Sequence, residues 1–316
     1  MEVYRSSEAI PAGFGPSAVT VGKFDGLHIG HRDVLRQLCE RAQADGLVPT
    51  VVTFDRNPLS TLAPGTAPPD LVSAAQKVEL FESAGIGAVL LLEFTEELAR
   101  QSPEEFVRRI LVETLHAKVV LAGADFRFGE RGAGDLAALR GFGEDCGFEV
   151  AQIADFDLEG RRVSSTWIRE LLTEGRVREA AGLLGRQPSI RSTVVPGEQR
   201  GRELGYPTAN LDPAVEGMLP RDGVYAAWAT VDGVRYGSAV SIGNNPTFEG
   251  VPQHQVEAHL LDQRLDLYGK TIDLAFVEYI RPMNRFDGVD ALVAQLRADE
   301  QRIRGILQAE GTGPRP

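Results

Sequence analysis

At 316 residues the chain has room for about two domains of roughly 150 residues each. Its 43% hydrophobic and 25% charged residues sit near the globular average, which excludes a disordered chain. Lys and Arg number 33 against 45 Asp and Glu, and a formal charge of −12 denies it the broad positive field that non-specific nucleic-acid or acidic-membrane binding needs.

In chain order, Ser17 to Val21 is a short β-rich run. Val34, Leu35, Leu38 and Ala42 then recur at helical spacing until Gly46 stops the helix. Val48 to Phe54 is predicted as a buried strand, Pro58 to Pro69 as a loop by composition, Ser73 to Ala84 as a helix and Ala88 to Leu92 as a strand. Ser102-Pro103-Glu104-Glu105 carries a capping box with proline at the first helical position. The strand Lys118 to Ala122, a helix near Gly134 to Asp145 and the strand Phe148 to Ile153 follow. Strands alternating with helices imply a doubly wound parallel sheet covered on both faces, with ligands expected beyond the carboxyl ends of its strands.

After Leu184 the pattern changes. Ala226 to Ile242 forms two β-type runs joined by Asp232-Gly233, a strong hairpin signal, and Val256 to Leu261 and Thr271 to Ile280 are further strands. A last helix carries Val289, Leu292, Val293, Leu296, Ile303, Ile306 and Leu307 on one stripe, and Gly311 to Pro316 is a dispensable tail. The expected architecture is α/β in residues 1–185, then a small, mostly antiparallel β-barrel with a C-terminal helix in residues 186–316. The two cysteines, Cys39 and Cys146, are too few for a disulfide framework or a zinc site. No apolar run approaches the ~20 residues that span a bilayer, and MEVYRSSEAIPAG lacks the basic start and apolar stretch of a signal peptide. The expectation is a cytoplasmic protein acting on small molecules, without nucleic-acid or membrane partners; a homo-oligomer is compatible with the sequence.

The first strand runs into Gly22-Lys23-Phe24-Asp25-Gly26-Leu27-His28-Ile29-Gly30-His31. Three glycines let backbone approach a ligand closely, and His28 and His31, three apart, share one face where a helix begins. Exposed N–H groups and a partial positive charge at that end make an anion site, where imidazoles can stabilise charge building on a leaving pyrophosphate. Isolated histidines are more often surface or core residues, and a two-histidine metal site lacks a carboxylate or cysteine at ligand spacing. The combination of strand, glycine turn, histidine pair and helix favours phosphate.

This run matches the HxGH signature of the nucleotidyltransferase superfamily, and nearly the whole chain resembles the bacterial bifunctional riboflavin kinase/FAD synthetase family. Gly123-Ala124-Asp125-Phe126-Arg127-Phe128-Gly129 and Val163-Ser164-Ser165-Thr166-Trp167-Ile168-Arg169 add to the resemblance. It implies that Gly22, Phe24, Asp25, Gly26, Ser164, Ser165, Thr166 and Arg169 bind nucleotide, and that Asn57, Asp125 and Phe126 meet the flavin. The serines and threonine also suit a helix N-cap, with Arg169 one turn in. Two positions depart from the family pattern. Phe54-Asp55-Arg56-Asn57-Pro58 stands where an FDP-x-P loop, often with a histidine, is common, and Asp125 stands where asparagine is usual. An ionised carboxylate only accepts hydrogen bonds, whereas an amide also donates.

In the second half, Gly201-Arg202-Glu203-Leu204-Gly205-Tyr206-Pro207-Thr208-Ala209-Asn210 offers two glycines and two oxygens on alternate residues of an extended chain, and no GxxxxGK[ST] loop exists. Hard oxygens suit Mg²⁺ bridging substrate phosphates, and a turn with an Asx hydrogen bond is the alternative. Within the family, PTAN is the riboflavin kinase signature, which implies Thr208 and Asn210 as ligands of Mg-ATP beside Gly201, Gly205 and Pro207. Asp222-Gly223-Val224-Tyr225-Ala226, Ser241 to Phe248 and Val256 to Asp262 also match, and Glu257 falls at the family's catalytic position. A carboxylate there can take the proton of the ribityl 5′-hydroxyl, and His259 is expected to be a packing residue.

The resemblance implies two steps: riboflavin is phosphorylated to FMN with Mg-ATP, then FMN is adenylylated by ATP to FAD. Two alternatives stand beside it. One is a riboflavin kinase whose first domain is degenerate at Arg56, Asn57 and Asp125. The other is a non-catalytic flavin-responsive binding protein, against which Glu257 counts because binding alone needs no general base.

Overall fold

The computed structural model describes residues 1–197, 205–243 and 255–312. Gly201 and the 244–248 segment of the second half therefore lie outside the described residues. By contact the chain divides into two compact units, Met1–Ser164 and Ser165–Pro316.

The first unit is built on six parallel strands: β1 (Glu2–Tyr4), β2 (Ser17–Val21), β3 (Val48–Phe54), β4 (Ala88–Leu92), β5 (Ala117–Gly123) and β6 (Glu149–Ile153), in the order β1-β4-β3-β2-β5-β6. Successive strand residues face opposite sides, so Ala18, Val51, Val89 and Val119 join one core while Val19, Val52, Leu90 and Val120 join the other. Helices α1 (Ile29–Asp45) and α3 (Ala74–Ser83) cover the first core through Leu35, Leu38 and Phe81. The second is covered by α5 (Pro103–Phe106), the π-helical stretch Val107–Thr114 that continues it, and α6 (Leu136–Cys146). Gly46 caps α1 in the left-handed conformation, and the Ser102–Glu105 capping box is formed.

Three features were not legible in the sequence. The segment expected to be a loop from Pro58 begins instead with a short helix, α2 (Pro58–Leu62), because Asn57 caps it and Pro58 supplies the preset first position. Another short helix, α4 (Glu96–Ala99), starts at the Thr95 cap. A two-stranded hairpin, β7 (Asp157–Leu158) with β8 (Arg161–Arg162), turns through Glu159 and Gly160, both at positive φ.

The second unit opens with α7 (Ser165–Thr173) and α8 (Val177–Leu184), which group with it rather than with the sheet that precedes them. Arg178 on α8 reaches Glu278 at 2.6 Å, and the Arg221 amide donates to the Leu172 carbonyl at 2.9 Å. Six strands, β9 (Ser189–Val195), β10 (Ala209–Leu211), β11 (Gly223–Val231), β12 (Val234–Gly243), β13 (Gln255–Leu260) and β14 (Thr271–Arg281), close into an antiparallel barrel in the order β10-β13-β12-β11-β14-β9. Closure removes the unpaired edges an open sheet would expose. The β11–β12 turn is the expected Asp232-Gly233 pair, at φ 50° and 77°. Helix α9 (Val289–Thr312) lays Ile303 and Leu307 against Val224, Ala226, Val277 and Ile280, and it takes in Gly311, part of the expected tail. It is fastened by Arg281, which pairs with the buried Asp299 at 2.8 Å while Gln295 donates to the same carboxylate.

Candidate functional site

The sheet order reverses direction between β2 and β5, so the loops leaving these two strands flank the crevice where ligands bind in doubly wound folds. Those loops are Gly22–His31 and Gly123–Gly129, the two glycine-bearing runs singled out in the sequence.

The first loop is tightly constrained. Phe24 and Leu27 adopt positive φ of 48° and 38°, and Gly26 adopts 80°. Such conformations in non-glycine residues carry strain and cluster at functional sites. Phe24 turns its ring into the core against Phe81 (5.5 Å) and beneath His31 (5.2 Å), and a Cβ at Gly22 would press on that ring at 3.0 Å. The buried Asp25 carboxylate accepts from the Leu71 amide at 2.9 Å, so its visible task is to tie a neighbouring loop to this one.

His28 and His31 are brought together: their rings stack with centroids 3.6 Å apart and planes 15° from parallel. His28 is the N-cap of α1, and its Nδ1 accepts from the His31 amide at 3.2 Å. His28 Nδ1 is therefore an acceptor, which leaves Nε2 to carry the ring's proton. His31 Nδ1 is shut off from solvent and has no protein partner. Burial, reinforced by His28, Lys77, Arg162 and Lys23, holds the His31 pKa well below the usual histidine value. The pair is thus built as neutral N–H and N groups at a positive helix end, ready to meet an anion.

Two cations near this site escaped the sequence analysis. Lys77, on α3, is buried, and its Nζ donates to the Phe54 carbonyl at the end of β3 at 3.0 Å. Burial lowers its pKa, opposed by Asp25, Asp70 and Asp55. Lysine on the apolar face of an otherwise regular helix was the available signal. Arg162, on β8, donates to Asp125 at 2.6 Å and pairs with Asp155 at 2.9 Å. Asp125, whose charge set this chain apart, is therefore neutralised by a guanidinium, which holds its carboxyl below the usual range. Phe126 stacks on Phe128 at 5.3 Å. Asn57, also nearly buried, spends its side-chain oxygen on the Leu59 amide, and Asp55 is held by Arg56 and the Phe94 amide. Ser164 closes the first unit, and Ser165, Thr166 and Arg169 open α7 in the second.

In the barrel, Asn210 of β10 lies directly opposite Glu257 of β13, and Glu257 is opposite Ser241 of β12. Directly paired residues share a face, so amide, carboxylate and hydroxyl form one row across three strands. Val256, Ala258 and Leu260 alternate with them and are buried. The Asn210 amide packs where a side chain at Gly197 would otherwise lie. A cavity of about 660 Å³ is lined by Pro207, Thr208, Ala258, Leu260, Leu265 and Tyr268 among others, so on β13 it meets the residues that alternate with this row. Its size falls within the range of small-molecule sites. Gly205, at φ 84°, is on its wall, and the Gln263–Tyr268 stretch, which the sequence did not single out, supplies much of the rest. No cluster of three or more His, Cys, Asp or Glu suited to a resident metal exists among the described residues. Thr208 and Asn210 offer two neutral side-chain oxygens, a donor type that Mg²⁺ accepts.

Two family matches follow the same division: FAD synthetase over residues 12–167 and riboflavin kinase over residues 184–307. The chain is 34% identical to a bifunctional riboflavin kinase/FMN adenylyltransferase of Listeria monocytogenes, covering 92% of each chain. It is 36% identical to the protein of that name from Escherichia coli K12, over 90% of this chain and 91% of the other. A crystal structure from Streptococcus pneumoniae, described as a macrolide-efflux protein, matches with a TM-score of 0.84 and 31% identity over 96% of this chain and 98% of that one. No helix among the described residues is long and apolar enough to cross a membrane. The chain belongs to the bifunctional riboflavin kinase/FMN adenylyltransferase family.

Proposed function

We propose that this protein makes FAD from riboflavin in two steps, with residues 186–316 phosphorylating riboflavin to FMN and residues 1–185 transferring AMP from ATP to FMN with release of pyrophosphate. Membership of the family supports both activities, and one observation carries the assignment of sites. The stacked His28–His31 pair at the sheet's switch point and the Asn210–Glu257 pair on the barrel are two separate constellations in one chain, each on the unit matched to its own activity.

In the kinase step Glu257 is the general base that accepts the 5′-hydroxyl proton as that oxygen attacks the γ-phosphorus of ATP and the bond from that phosphorus to the β,γ-bridging oxygen breaks, releasing ADP. Thr208 and Asn210 would hold Mg²⁺, which neutralises charge on the phosphate oxygens when bound. The cavity that Thr208 lines suits the adenosine moiety, with Gly205 and Pro207 on its wall; Gly201 belongs to the same signature. In the adenylyl step His28 Nε2 and His31 face the phosphates, and their N–H groups stabilise charge that develops on pyrophosphate. Gly22 and Gly26 keep the loop's backbone close to the nucleotide, with Phe24 and Asp25 supporting its shape. Ser164, Ser165, Thr166 and Arg169 grip the triphosphate. Asn57, Asp125 and Phe126 border the flavin, and Arg162 gives Asp125 the counter-charge that an asparagine would not need. Both steps are direct displacements without a covalent enzyme intermediate. Two free cysteines fit a reducing compartment, and the cytoplasm is the proposed location.

The test is to incubate pure protein with riboflavin, ATP and Mg²⁺ and to resolve the flavins by chromatography. FAD is the expected product. FMN alone would show a kinase with an inactive first domain, and unchanged riboflavin would leave a binding protein.

A further inference from the structure

His259 lies two residues beyond Glu257 on β13 and takes no part in the chemistry described above. Its surroundings are those of a clamp. Nδ1 is 2.8 Å from the Pro207 carbonyl oxygen. A carbonyl only accepts, so Nδ1 carries the proton and donates, and in the neutral ring Nε2 is the acceptor. The ring packs against Tyr206, with centroids 5.4 Å apart. Its own carbonyl accepts from the buried Ser238 hydroxyl of β12 at 3.0 Å, so the clamp is fixed to the barrel on its other side.

What it fastens is short. β10 has three residues, and the register with β13 covers Ala209 opposite Ala258 and Asn210 opposite Glu257. Thr208 precedes the strand, between the carbonyl that His259 grips and the first laddered pair. The segment Tyr206–Thr208, of which Pro207 and Thr208 line the cavity, therefore meets β13 through an imidazole rather than through ladder hydrogen bonds.

We infer that His259 is a positioning residue of the phosphoryl-transfer site, which locks the Pro207–Asn210 segment in register with Glu257. The inference rests on the proposed roles of Thr208, Asn210 and Glu257. Its consequence is that the metal-ligand oxygens and the general base keep a fixed spacing only while Nδ1–H reaches the Pro207 carbonyl. Outer partners that orient metal ligands are typically worth 10–100-fold in affinity or activity.

The experiment compares full-length wild type, His259→Asn and His259→Phe with riboflavin and Mg-ATP, and measures FAD formation from supplied FMN in the same preparations. Asparagine keeps an N–H donor near the Nδ1 position, while phenylalanine keeps the ring and loses the donor. The expected result is a kinase kcat/KM reduced roughly 10–100-fold in His259→Phe, with a raised KM for Mg-ATP, and substantial recovery in His259→Asn. FAD formation from FMN should stay unchanged in both. Equal kinase activity in all three, or an equal loss in both variants, overturns the inference while leaving the kinase assignment intact. A wild type unable to make FMN defeats the underlying assignment instead. Should His259→Phe not fold, long-range ¹H–¹⁵N spectra of the wild type decide: a protonated Nδ1 is required, and an Nε2–H ring with bare Nδ1 refutes the clamp.

Discussion

Replacing Glu257 by Gln separates the two active sites most sharply. Glu257 sits in the middle of the β10–β13–β12 ladder, flanked by Asn210 and Ser241, and Gln preserves its length and its backbone register. The variant loses the carboxylate's charge and with it the ability to accept a proton. General-base catalysis is worth about 10²–10⁴-fold, or about 2.7–5.4 kcal/mol of barrier at 1.36 kcal/mol per decade. Riboflavin phosphorylation is therefore expected to fall by that factor, with the KM for Mg-ATP little changed because the Thr208 and Asn210 oxygens are untouched. Adenylylation of supplied FMN is assigned to other residues, none of them on β10, β12 or β13, and should proceed at the wild-type rate. The assay is initial-rate flavin chromatography with riboflavin or FMN as substrate, alongside a thermal unfolding curve. A parallel loss of both activities at unchanged stability would refute separate sites, and retained kinase activity would remove Glu257 as the base.

Further outcomes follow from the same geometry. Asp125→Asn frees one fork of Arg162 for the FMN phosphate. FMN should bind more tightly at low salt than at high salt by fluorescence titration, while stability shifts by less than about 1 kcal/mol because the pair is largely exposed; an unchanged Kd would show that Arg162 does not face the ligand. Gly197→Ala places a methyl on the Asn210 amide, so the kinase should weaken while FAD formation from FMN persists, and a wild-type kinase would show that the amide has room to move. Asp299→Ala leaves the Arg281 guanidinium without its buried counter-ion and should cost roughly 3–5 kcal/mol in the second unit. Trp167 and Trp228 both lie in that unit, so intrinsic fluorescence during denaturation reports it directly. His31 is harder to protonate in the folded chain than at its unfolded value near 6.5, so the unfolded state takes up more protons as pH falls below that value. Stability of the first unit, present above pH 6.5, should be lost on acidification with a slope up to about 1.36 kcal/mol per pH unit. Amide protection of β2 and β3 should lose that slope in His31→Gln.

Local physics settled much of this protein in advance. Alternating apolar runs, the Gly46 stop, the Ser102–Glu105 capping box and the Asp232-Gly233 turn depend on residues within a few positions of one another, and each appears where the sequence placed it. The motif residues were legible for the same reason: a helix start after a glycine turn and oxygens on alternate residues of an extended chain are short-range facts. β9 and β10 were not, because their places in the barrel depend on partners distant in sequence. Nor was the hairpin β7–β8, whose strands have two residues each and no hydrophobic period to display.

The electrostatics belonged to the tertiary structure alone. Asp125 reads in the sequence as a surplus charge but lies 2.6 Å from Arg162, and His259 reads as packing but its ring meets Pro207, while the contact of Lys77 with the Phe54 carbonyl has no counterpart in the sequence reading. Composition and spacing name the groups a chain can use, but Coulomb energy and hydrogen bonds depend on distances of a few ångströms between residues tens of positions apart. Only folding sets those distances.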